Sequence, residues 1–184
     1  MPPLGDLAAR FLKEQQEVGS RVLQVPTWEA LPQAVAPWFA ELGIASAMTG
    51  AVPRLEPLRR HLAGMGIAVR TYVRPQAEQR EELFGTDCGI TTSLAAIAET
   101  GSIVLLPTPQ EPRLLSLAMP VHLVLVERAA LLPRLRDFIL SGRYQREVPS
   151  NLVLVSGASR TADIEMTLAM GVHGPKTLLV ALIG

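Results

Sequence analysis

The chain has 184 residues, 48% of them apolar and 18% charged, and its 17 basic residues balance 17 acidic ones. That composition fits one soluble α/β domain, residues 1–184, able to fill its own core, and it argues against disorder and against a nucleic-acid surface, since no basic block is present. A lone Cys88 cannot close an internal disulfide or hold an iron–sulphur cluster by itself, and no basic-then-apolar leader or membrane-length apolar run is visible, so a cytoplasmic chain without a redox centre of its own is expected.

In chain order, Leu4, Leu7, Ala8, Phe11 and Leu12 recur at helical spacing with Lys13, Glu14 and Gln15 opposite, which predicts an amphipathic helix in an N-terminal segment of about residues 1–20. Short β-prone runs follow at Val22–Val25, Ile44–Met48, Ile67–Val73, Ile103–Leu106, His122–Val126, Leu152–Val155 and Leu178–Ile183. Between them the pattern predicts helices over Trp28–Glu41, Arg54–Ala63, Gln76–Phe84, Arg113–Met119 and Ala129–Leu140, with Pro32, Pro37 and Pro133 disturbing three of them. The runs around His122 and Leu178 are apolar at nearly every position, so both faces must be covered. That is the signature of a mostly parallel sheet flanked by helices. Residues 141–150 read as a surface connection.

Familiar cofactor fingerprints are missing. Gly64-Met65-Gly66 precedes a strand without the third glycine of a dinucleotide turn, no phosphate-loop lysine motif occurs, and His61, His122 and His173 lack metal-ligand spacing. His61 reads as solvated surface and His122 as a satisfied core residue.

Three segments could carry chemistry. The first, Gly85 to Ser93, is a small, polar, glycine-punctuated loop whose Asp87, Thr91 and Thr92, with their backbone amides, could line an anion site; the alternative is a connector with capping hydroxyls. In the second, Ala98-Glu99-Thr100-Gly101, a carboxylate lies between apolar Ile97 and Ile103, where desolvation would raise its pKa and suit it to acid or base work; the alternative is an ordinary turn. The third, Ser156 to Glu165, follows a strand and is expected to open a helix, with Ser156, Arg160, Thr161 and Asp163 as ligand groups at the strand's carboxyl end; the alternative is that Ser159 or Thr161 caps the helix and Asp163 complements its dipole. Downstream, His173 sits between Gly171 and Gly174 with Lys176 nearby, on a turn that could present a titrating imidazole. Gly101 and Gly174, in tight turns before strands, are expected to take backbone angles closed to other residues.

Gly89-Ile90-Thr91, Ala96 to Leu105 with its Glu99-Thr100-Gly101-Ser102 core, Ser156-Gly157, Ala162-Asp163-Ile164-Glu165 and Gly171-Val172-His173-Gly174-Pro175 together resemble the signature of the LUD (lactate-utilisation) domain family, and within it the LutC/YkgG subgroup. The likeness is carried by about residues 85–184, and one departure is Leu94, where an acidic residue is expected. The resemblance implies a fold similar to the NagB/RpiA/CoA-transferase superfamily. It also implies a non-redox subunit of a cytoplasmic complex that oxidises L-lactate to pyruvate, with iron–sulphur clusters on partner proteins and none in this chain. The rival is a stand-alone enzyme or binder acting on a small anionic metabolite, a sugar phosphate or a CoA ester, with Glu99 as base or nucleophile. Under either reading Glu99, Asp163 and His173 are expected around one cleft with Thr91, Thr92, Arg160 and Lys176.

Overall fold

Asp6 caps the first helix, its carboxylate accepting the Ala8 amide at 3.0 Å, and the apolar stripe of α1 (Leu7–Glu17) buries Ala8, Phe11 and Leu12 as its spacing predicts. The chain then alternates through β1 (Arg21–Val25), α2 (Leu31–Glu41), β2 (Ser46–Thr49), α3 (Glu56–Gly64), β3 (Ala68–Thr71), α4 (Arg80–Phe84) and β4 (Cys88–Thr92). After β4 it leaves the simple alternation through β5 (Ala95–Ile97), β6 (Ile103–Leu105), α5 (Leu114–Leu117), β7 (Val121–Glu127), β8 (Leu131–Leu132), α6 (Leu135–Ser141) and β9 (Val153–Val155). It closes with β10 (Arg160–Ala162), β11 (Leu168–Met170) and β12 (Thr177–Ile183). This computed structural model describes residues 6–73, 80–144, 151–162, 168–170 and 174–184.

Six strands form one all-parallel sheet in the order β1-β12-β7-β4-β2-β3. The near-continuous apolar strands divide their side chains by parity. Leu123, Leu125, Leu179, Ala181 and Ile183 join Val35, Phe39, Leu58 and Leu62 of α2 and α3 on one face. Val124, Val126, Leu178, Val180 and Leu182 pack under α1 and the second sheet on the other. That second sheet, ordered β8-β5-β6-β9, is mixed, and it covers the parallel sheet where a helix would be expected. Its outer side meets α6 through Phe138.

Two expectations change. Gly85 to Ser93 is not a loop: Cys88–Thr92 is a central strand between β2 and β7, and its glycine and hydroxyls hid the apolar pattern. Gly89 is small for a packing reason, since a Cβ there would overlap the Leu115 carbonyl oxygen of α5. The helix expected after Ser156 is also not seen, because Arg160–Ala162 pairs antiparallel with Leu168–Met170 as a β-hairpin. Helix capping therefore does not account for Arg160 or Thr161.

Successive strands step outward from β2 to β3 on one side and through β4, β7 and β12 on the other. The direction reverses between adjacent β2 and β4. In open parallel sheets the carboxyl end of such a reversal is where ligands collect.

Candidate functional site

At that reversal the ends of β2 and β4 are covered by the loop Pro107 to Arg113, which joins β6 to α5. Pro107, Pro109 and Pro112 fix three φ angles in seven residues, so the loop is stiff. It docks on β2 through the Ala51 amide, which donates to the Gln110 carbonyl at 2.8 Å. Gly50 permits this approach: a Cβ would stand 2.6 Å from the Gln110 oxygen and 2.8 Å from Glu111 Cγ. From the far side Arg59 donates to Thr49 Oγ1, Gly50 O and Val52 O at 3.1–3.3 Å, fixing the turn after β2.

The loop thereby places Glu111 against the end of β4. The Thr92 amide donates to Glu111 Oε1 and the Thr92 hydroxyl bonds Oε2, both at 2.6 Å, while the Glu111 amide donates to Thr108 Oγ1 at 3.0 Å. Burial raises the Glu111 carboxyl above the usual range, and the two Thr92 bonds pull against that rise without reversing it. Among the described residues no cation pairs with it.

One residue back on β4, Thr91 bonds the buried His122 Nε2 at 2.8 Å. Burial depresses the imidazole to about 3, so it is neutral near pH 7. Its Nδ1 has no partner, and the tautomer that leaves no buried N–H unpaired carries the proton on Nε2. His122 therefore donates to Thr91, which frees the Thr91 proton for another acceptor. Thr91, Thr92, Glu111 and Ser116 line a chamber of about 10 Å³, the room of one water molecule or one ligand oxygen. Pro107, Pro112 and Arg113 border both this chamber and an open cavity of about 570 Å³, which is also lined by Tyr72, Thr108, Leu114 and Asn151.

The residues singled out from sequence fall in several places. Thr91 and Thr92 are in this cleft. Asp87 is at the opposite end of β4, where Oδ2 accepts the Ala45 amide, the Ser46 amide and the Ser46 hydroxyl at 2.8–3.0 Å and so pins the start of β2. Lys176 begins the approach to β12 at that same amino edge, its amide donating to Pro120 O at 2.8 Å, and its side chain is exposed. Glu99 is exposed beyond β5, with its amide on Pro133 O and its carbonyl accepting from Arg10. Thr100, Ser102 and Ser156 share a chain of hydroxyl bonds of 2.8 and 2.7 Å. The adjoining Gly101 abuts Glu14 and Gln15 in the last turn of α1. The β5–β6 hairpin separates this turn from Thr92, so Glu99 and the two threonines do not share a cleft. Arg160 and Thr161 lie on the β10 hairpin, opposite Met170 and Ala169. Asp163 and His173 lie outside the described residues, and with them the convergence expected of those two groups. Leu94 packs with the Phe138 cluster. Of the two glycines, Gly101 has φ +66, and a Cβ on Gly174 would stand 3.1 Å from Ser159 Cβ.

Sequence reasoning missed Glu111 because it falls between a strand and a helix in a stretch that reads as a connection. The available signal was a carboxylate bracketed by prolines directly before an arginine.

A second cavity, of about 520 Å³, opens at the carboxyl ends of β1, β12 and β7. Arg54 there stacks over Trp28 at 4.1 Å and pairs with Glu127, and Arg128 donates to Gly184 O at 2.6 Å. Its cations are therefore engaged within the chain. Among the described residues no helix is long and apolar enough to cross a membrane.

Known proteins were compared with this chain and fold. A crystal structure of a DUF162 family protein from Deinococcus radiodurans superposes with a TM-score of 0.75, covering 99% of this chain and 100% of that one at 23% identity, which supports the fold. An uncharacterized protein of Neisseria meningitidis is 31% identical over 184 aligned positions, 90% of this chain and 79% of that protein. Lactate utilization protein C of Bacillus pumilus is 28% identical over 97% of this chain and 78% of its own length, and that of Exiguobacterium is 34% identical over 60% of this chain, which spans 49% of the relative. The sequence pattern of the LUD domain matches residues 8–183, and the chain therefore belongs to the LUD domain family.

Proposed function

We propose that this chain serves lactate utilisation as a non-redox subunit of an L-lactate-oxidising complex, with iron–sulphur clusters carried by its partners, and that its own contribution is made at the Glu111 cleft. The kinship to proteins named lactate utilization protein C supports the pathway. The observation that carries the site is the partly buried Glu111 carboxyl, held by Thr92 and without a paired cation among the described residues, where strand order reverses beside a cavity open to solvent. Such a carboxyl can hydrogen-bond or exchange a proton with a bound small molecule.

Co-expression with the iron–sulphur proteins tests the reading. The chain should co-purify with them, and lactate oxidation should fall when it is withdrawn. Separate elution of all components, with oxidation unchanged in its absence, would refute subunit membership.

The rival, a binder or enzyme for a sugar phosphate or CoA ester acting alone, draws support from the cavity, which is large enough for more than a three-carbon acid. Stabilisation of the isolated chain by such compounds and not by lactate would favour it.

A further inference from the structure

Two polar groups line the open cavity beside the chamber. Arg113 is exposed, and among the described residues nothing bonds its guanidinium or pairs with it; its carbonyl alone is used, accepting from Ser116 Oγ at 2.8 Å. The same cavity is lined by Asn151, whose side-chain Oδ1 is buried and has no partner among the described residues. A folded chain rarely leaves a buried acceptor unmatched unless something else supplies the donor. The chamber itself is lined by the Thr91 hydroxyl, whose proton His122 leaves free, and by Glu111.

We propose that the cleft is a binding site for a 2-oxygenated carboxylate, a 2-hydroxy or 2-oxo acid, with Arg113 pairing the carboxylate and the Thr91–Glu111 chamber holding the neighbouring oxygen. This rests on the lactate-utilisation reading for its choice among anions. The geometry supplies the rest. Arg113 lines both spaces, so a carboxylate on its fork lies at the entrance of a chamber sized for one further oxygen. Glu111, whose two oxygens accept from Thr92, can accept a further bond from a ligand hydroxyl, and the Thr91 hydroxyl can donate to a keto oxygen. The chamber walls also include the apolar Leu105, Leu106 and Pro107. A 2-unsubstituted acid leaves the chamber unfilled. An amino acid puts an ammonium there, which has three protons and offers the Thr91 hydroxyl no acceptor.

The test is binding to the full chain, followed by calorimetry and by amide NMR shifts at Thr92 and Ser116, with L-lactate, pyruvate, propionate, L-alanine, glucose 6-phosphate and inorganic phosphate as probes. L-lactate or pyruvate should bind and shift both amides, with propionate and L-alanine at least about tenfold weaker. Arg113→Ala should weaken binding roughly tenfold or more while leaving the melting temperature of the free chain unchanged, and Arg113→Lys should recover part of the loss. Equal binding of propionate and lactate would overturn the role of the chamber, tighter binding of either phosphate would assign the cleft to phosphorylated ligands, and tighter binding of L-alanine would make it an amino-acid site. If no probe binds while lactate oxidation still requires the chain, the subunit reading stands and this site is wrong; if lactate binds but oxidation is indifferent to the chain, the reverse holds.

Discussion

His122 gives the most quantitative handle on the account. Its imidazole is fully buried and depressed to about 3 from an ordinary value of 6.5, so the folded chain refuses a proton that the unfolded chain accepts. With the folded value depressed, the unfolded state binds more protons at every pH between the two values, and stability is lost as pH falls below 6.5. The loss is about 1.4 kcal/mol per pH unit once well below that point, which makes about 2.7 kcal/mol by pH 4.5. His122→Gln removes the titration while offering an amide that can donate to Thr91 in place of Nε2. Urea unfolding at pH 7.5, 6.5, 5.5 and 4.5 should show both proteins weakening in acid through their shared carboxylates. The parent should weaken more, and the gap should reach about 2.7 kcal/mol at the lowest pH relative to the highest. Parallel curves would refute the reasoning, since they would mean that His122 is protonated in the fold or is not buried.

Other consequences follow from the same packing. Glu111→Gln removes a carboxyl whose folded value is raised, a group whose stabilising contribution is lost as pH rises from its unfolded value through its folded one, so in the same urea series the variant should lose less stability than the parent as pH rises from 4.5. Gly89→Ala forces a methyl into the Leu115 carbonyl and should cost roughly 3 kcal/mol, read as a lowered urea midpoint, by pushing α5 off β4. Gly101→Ala, at φ +66 and with its Cβ 2.9 Å from Glu14 Cβ, should lower Tm by more than Gly174→Ala. The Cys88 thiol, buried and pushed up to about 12, should ignore a disulfide reagent in the native chain and react at once in urea.

How much of this the sequence discloses depends on where each residue's partners lie. The strands around Val124 and Val180 are legible because both of their faces are buried, which leaves an unbroken apolar run that no surface element needs. β4 is illegible because its second face is filled by close backbone approach and by polar pairing: Gly89 yields to α5 and Thr91 satisfies His122. The second sheet is hidden by its brevity, with strands of two or three residues whose pairing is supplied by distant segments. The same limit governs the site. Glu111 owes its environment to Gly50 and Thr92, and neither is near it in the chain, so its desolvation leaves no local trace. Glu99, flanked by isoleucines, looks desolvated in sequence, yet the turn at 98–101 carries its side chain outward into solvent.

The central claim is that the Glu111–Arg113 cleft is the working part of this LUD domain chain. The direct measurement is lactate oxidation in cells lacking the chain and supplied with the parent, with Arg113→Ala, or with Arg60→Ala, an exposed arginine on α3 that pairs with Glu56 and lines neither the chamber nor the cavity beside it. The account predicts that the parent and Arg60→Ala restore oxidation equally and that Arg113→Ala restores little of it at the same protein level. Full restoration by Arg113→Ala would contradict it.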